Sequence, residues 1–130
     1  MRNLLIIATI MWGLVLASCD GSMITEPQDV VFPDSNVSFR GQVLPFLAVT
    51  CAVSGCHGDI GAAAGIRLTS YSTLLFDRPN LVVPGKPDES LIMQVLDGRL
   101  LHPWGNIQSV VSSSQVRGMG TWIIEGAINN

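Results

Sequence analysis

Hydrophobic residues along this chain come in short groups, mostly helix-spaced, set apart by stretches of glycine, proline and small polar residues. The first group differs from the rest. Behind a single cation, Arg2, a largely apolar run of fourteen residues extends from Leu4 to Ala17 and ends on small residues. A helix needs about 20 apolar residues to cross a bilayer, so this run is too short to span and has the shape of an export signal. From Asp20 to Val37 the chain is polar, carries Pro27 and Pro33 and shows no helical period, which predicts a tether. Its one apolar stretch, Val30 to Phe32, is the only part equipped to fold back on a domain.

A compact domain is expected from Ser38 to Asn130. Apolar residues at 39, 43, 46, 47 and 49 predict an amphipathic helix that ends just before Cys51. Pro45 lacks an amide donor, so it either kinks that helix or stands in its first turn. After a Gly/Ala-rich loop, a brief helix is predicted from Ser70 to Phe76, with Ser70 or Thr69 as its cap. Pro84–Gly85 suits a type II turn. Pro87 then opens a further helix, Asp88 and Glu89 lie near its positive end, and Gly98 stops it. A loop follows, in which Pro103 keeps His102 out of a helix interior. The last helix is capped by Ser112 or Ser113 and has apolar positions at 116, 119, 122, 123 and 127. Gly118 and Gly120 each cost it about 1 kcal/mol, a loss that makes sense where a backbone or a flat group approaches closely. No strand-like alternation competes, so the fold class is all-α with long loops.

Composition narrows the function. With 130 residues the chain holds one domain and a modest core. Seven basic residues less Arg2 leave six against ten acidic ones, a net charge near −4 after removal of the signal. No basic run occurs, so nucleic acid is not an expected partner. There is no G-x-S-x-G motif and no glycine-rich phosphate loop before a helix.

The cysteines are concentrated. Leu16-Ala17-Ser18-Cys19 resembles the lipobox of bacterial lipoproteins, which implies a signal peptide over residues 1–18 and acylation of Cys19, with residues 19–37 as the lipidated tether. Several acyl chains would hold the protein stably at a bilayer surface. The other two cysteines share "CAVSGCHG", residues 51–58, with one of the two histidines in the chain. A Cys51–Cys56 disulfide would close a very small loop and leave His57 unexplained. Zinc could take Cys51, Cys56, His57 and His102, but Cys56 and His57 are adjacent and poorly placed to share one ion. Covalent attachment of haem c uses C-x-x-C-H, and here the spacing is C-x4-C-H. The two additional residues must loop outward, and Ser54 and Gly55 are small enough to do so.

The order of motifs carries a resemblance. "VLPFLAVTC" (43–51), "GIRLTSYSTL" (65–74), "VVPGKPDESL" (82–91) and "WIIEGAINN" (122–130) are similar to segments shared by small cytochrome c-like domains of exported bacterial proteins. C-x4-C-H is a variant attachment site among c-type cytochromes. The resemblance implies a cytochrome c-like domain over residues 38–130, with one haem bonded through Cys51 and Cys56 and His57 as proximal axial ligand. Where that group has Met-Pro, this chain has His102-Pro103, which implies His102 as distal ligand. Nitrogen in place of a thioether favours ferric iron and a lower potential. Met93 and Met119 are the competing ligands, and their positions fit core filling better. Trp104 and Trp122 are expected to pack on the haem or on apolar neighbours.

The expectation is therefore an exported, lipid-anchored monohaem cytochrome facing the periplasm or cell exterior. It would carry electrons rather than act as a catalyst, and its partners would be redox proteins and, through the anchor, a membrane. Asp20, after the acylated cysteine, resembles an inner-membrane retention signal of some bacteria. Two other readings stay open at this point: a sensor or peroxidase-like domain with an open iron position, and a non-haem lipoprotein with a Cys51–Cys56 bridge.

Overall fold

A computed structural model describes residues 23–130 of the chain. The signal segment 1–18, Cys19 and Asp20 lie outside the described residues. Helices and turns make up the described part, with no strand among those residues and one isolated antiparallel bridge between His102 and Gly105. The all-α expectation therefore holds. Four α-helices carry the fold: α1 (Leu44–Thr50), α2 (Tyr71–Phe76), α3 (Leu91–Leu96) and α4 (Ser113–Ile124).

Pro45 shapes the entry to α1. A wide π turn, Phe39–Val43, precedes the helix, and the amides of Val43 and Leu44 reach back five residues to the Ser38 and Phe39 carbonyls. The wider turn accommodates a proline that cannot donate and whose ring crowds the preceding turn. Phe39, Val43, Phe46 and Leu47 still point to one side and are buried.

Local capping sets the other helix starts. Ser70 accepts the Thr73 amide, and Thr73 returns the bond to the Ser70 amide. Ser112 and Gln115 form the same reciprocal pair at α4. Such boxes satisfy amides that the first helical turn leaves without partners. The Pro84–Gly85 turn closes through Lys86 N–H to the Val83 carbonyl at 2.9 Å, with Gly85 at φ +78°. The helix expected to begin at Pro87 is divided. Pro87–Glu89 forms a 3-10 turn, Ser90 adopts an extended conformation, and α3 starts at Leu91. Ser90 is fully buried, and its hydroxyl accepts the Val83 amide and donates to the Lys86 carbonyl. That hydroxyl ties the Pro84 turn to α3 and so is not spent on capping it.

The core centres on α4. Met119, Trp122 and Ile123 are inaccessible to solvent and meet Phe46, Leu47, Leu74 and Leu96. Phe39 packs on Trp122 and edge-on against Tyr71, with ring centres 5.7 and 5.4 Å apart. The buried polar ends of these aromatics find carbonyls: Tyr71 donates to Ala127 and the Trp122 indole to Ile128. The C-terminus is clasped by the π turn, where Phe39 N–H donates to the Asn130 side chain and Arg40 N–H to the Asn130 carbonyl.

The stretch read as a tether is part of this unit from about Pro27 onward. Val30 and Val37 are buried, and Phe32 stands edge-on to Phe46 with centres 5.6 Å apart. Gln115 donates from its amide to the Pro27 and Val30 carbonyls. Both Glu125 carboxylate oxygens accept backbone amides, from Asn36 and Val37. Gly118 explains how the segment comes so close. A side chain there would collide with the Phe32 ring, so the glycine is a notch for an aromatic residue of the same chain.

Candidate functional site

Helix α1 delivers Cys51 to the wall of a cavity of about 390 Å3. The chain then turns outward. Val53, Ser54 and Gly55 are exposed, Gly55 takes φ +83°, and Cys56 N–H donates to the Val53 carbonyl at 3.0 Å. The turn returns Cys56 and His57 to the same wall, and His57 N–H closes it onto the Cys51 carbonyl at 3.1 Å. The spacing of the two cysteines is thus taken up by a solvent-facing bulge. Gly58 is buried beneath it, and a side chain there would press on the Ala52 carbonyl.

The opposite side of the cavity comes from α3 and the loop after it. Leu91, Ile92, Val95 and Leu96 supply apolar surface, and Leu101, His102 and Trp104 complete the rim. The size and largely apolar lining, with a few convergent polar groups, are those of a small-molecule or cofactor site. The His57 and His102 rings both line it, with centres 6.0 Å apart and planes inclined by 79°. An imidazole nitrogen binds a metal at roughly 2 Å, so two imidazoles on opposite sides of one ion have ring centres about 6 Å apart. The residues present fit a metal held between two histidines, with two thiols at the cavity wall.

The two histidines differ in their readiness to ligate. His57 Nδ1 lies 3.2 Å from the Ile66 carbonyl. A carbonyl only accepts, so the proton belongs on Nδ1 and leaves the Nε2 lone pair free. His102 Nδ1 instead accepts the Trp104 amide at 3.2 Å. In the neutral ring that places the proton on Nε2, and binding a metal there requires the Trp104 amide to let go.

Cys51 and Cys56 are unbridged. Burial pushes the Cys51 thiol above its ordinary range; the Thr50 hydroxyl, 3.2 Å away, opposes the shift and the nearby Cys56 adds to it. Among the described residues no three His, Cys, Asp or Glu side chains gather as a ligand set, so the four-ligand zinc arrangement is not formed. Met93 and Met119 are buried in the core and do not line the cavity, and Trp122 is likewise a core residue. Trp104 is 78% exposed at the cavity rim. Cys19 lies outside the described residues.

Two contributors were not legible in the sequence. One is the Ile66 carbonyl, a backbone atom that no residue type announces. The other is Arg78, which lines the cavity from the end of α2 and carries no motif. A second hollow of about 400 Å3, between residues 27–32 and 109–115, is lined among the described residues by no histidine, cysteine or charged side chain.

No curated protein and no solved structure gives a significant match to the chain. Residues 54–100 match the family model described as Planctomycete cytochrome C, a span that takes in Cys56 and His57 and stops short of Cys51 and His102. The match covers 47 of the 130 residues, including much of the cavity lining, and it supports a cytochrome c-like domain here.

Proposed function

We propose that this chain is a lipid-anchored monohaem c-type cytochrome that passes single electrons at a membrane surface. One observation carries the reading: Cys51, Cys56, His57 and His102 meet on one apolar cavity, with the imidazoles 6.0 Å apart. Bound haem would supply one-electron exchange between ferric and ferrous iron. Cys51 and Cys56 would hold it by thioether bonds, and His57, oriented by the Ile66 carbonyl, would be its proximal ligand. His102 would be the distal ligand once its Nδ1 releases the Trp104 amide. The wall from α3 is apolar, and among the described residues no carboxylate lines the cavity that could serve as a general base. Acylation of Cys19 would hold the domain at the bilayer, on the periplasmic or outer side, where redox proteins are its partners.

The test is expression with a haem-ligation system. The purified protein should stain for haem after denaturing electrophoresis and show a mass increase of one haem. The Cys51→Ala, Cys56→Ala double variant should show neither, and a colourless wild-type protein refutes the reading. Cys19→Ala should release the protein from membranes.

The His102–Trp104 hydrogen bond favours a second reading, in which the sixth position stays open for a gas or peroxide. Rapid carbon monoxide binding by the reduced wild-type protein supports it. Slow binding that becomes fast in His102→Ala supports the electron carrier.

A further inference from the structure

Among the described residues lining the cavity, Arg78 is the one with a permanent charge. Three other cations of the described residues are already matched. Arg67 pairs with Asp77 at 2.8 Å, Lys86 with Glu89 at 3.0 Å, and Arg99 with Asp97 at 2.7 Å. Arg78 forms no ion pair among the described residues, and its neighbour Asp77 is engaged by Arg67. It is exposed on the solvent side and yet borders an otherwise apolar hollow. The turn that carries it is set by Leu81 N–H donating to the Arg78 carbonyl.

An unmatched guanidinium at the mouth of an apolar cavity is matched to an occupant with a carboxylate at its edge. Guanidinium presents a planar fork suited to bidentate carboxylate binding. Haem has two propionates, and among the described residues the cavity lining offers them no other cation. We propose that Arg78 is the counter-ion of a haem propionate, a positioning residue that fixes the edge of the group and raises its potential by balancing the carboxylate charge. The inference rests on the haem reading above. Removing the cation leaves an uncompensated negative charge near the iron, which favours the ferric state.

The experiment uses the full chain with haem attached, as wild type, R78Q, R78E and R78K, with attachment checked by haem staining and mass. In R78Q the equilibrium should move about three- to tenfold toward ferric, about 30–60 mV downward at 59 mV per tenfold for one electron. R78E should fall further, and R78K should recover most of the shift. The resonance Raman bending band of the propionates should move in R78Q and, because the fork is lost, partly in R78K. Attached haem with an unchanged potential in R78Q overturns this inference alone. If R78Q does not accumulate, an identical propionate band in wild type and R78K overturns it. A wild-type protein without haem overturns the haem reading and this one together.

Discussion

Gly118→Ala is a substitution whose sign depends on a contact 86 positions away. In an exposed helix interior, exchanging glycine for alanine gains about 1 kcal/mol. Position 118 is buried, and the added carbon would meet the Phe32 ring and its Cβ, not the movable end of a flexible chain. Phe32 must therefore shift as a whole, losing its edge-on contact with Phe46 at 5.6 Å. Aromatic pairs of this kind contribute about 0.5–1.5 kcal/mol, and overpacking typically costs about 1–3 kcal/mol. Set against the propensity gain, the net effect should be a destabilisation of about 1–3 kcal/mol. In a Phe32→Ala background the obstacle is gone, and the same substitution should be neutral or stabilising by up to about 1 kcal/mol. Urea unfolding of the four proteins, followed by far-UV circular dichroism, measures the cycle. A stabilising Gly118→Ala with Phe32 intact, or an equal effect in both backgrounds, refutes the packing of residues 27–37 on α4.

Gln115→Glu keeps the acceptor for the Ser112 amide but turns a donor into an acceptor facing the Pro27 and Val30 carbonyls; a loss of about 1–3 kcal/mol is expected in the same assay, and no loss argues against the contact. Ser90→Ala leaves the Val83 amide without its partner and takes one of two donors from the Lys86 carbonyl, which keeps the Glu89 amide, at a cost of about 1–3 kcal/mol, while Ser90→Thr, which keeps the hydroxyl, should cost less. With Cys51 raised above its ordinary 9.0 in the folded chain, its contribution to stability is present below that value and is lost as pH rises through the folded pKa. In haem-free protein, therefore, Cys51 should react with iodoacetamide at mildly alkaline pH more slowly than in the same chain unfolded in urea, and an equal rate contradicts its burial. His102→Met should raise the potential of the haem protein, because a thioether favours ferrous iron more than imidazole does; an unchanged potential excludes His102 as the distal ligand.

Much of the architecture was written locally. The Ser70 and Ser112 caps, the Pro84–Gly85 turn and the apolar face of α4 could be read because each depends on residues within a few positions of one another. The crowding of Cys51, Cys56 and His57 is equally a property of the chain, as is the need for the residues between the cysteines to loop out. What the tertiary structure decided is which distant groups meet. Gly118 was legible as a place of close approach, but that Phe32 fills it depends on a contact across the domain. Ser90 divides a helix because its hydroxyl serves a turn seven residues back, an interaction that outweighs continuous helical bonding. The 6.0 Å separation of His57 and His102, the Ile66 carbonyl that orients one of them, and Arg78 at the cavity mouth arise where α2, α3 and two loops converge. Burial and charge pairing act through space without regard to chain distance, so no periodicity or spacing records them.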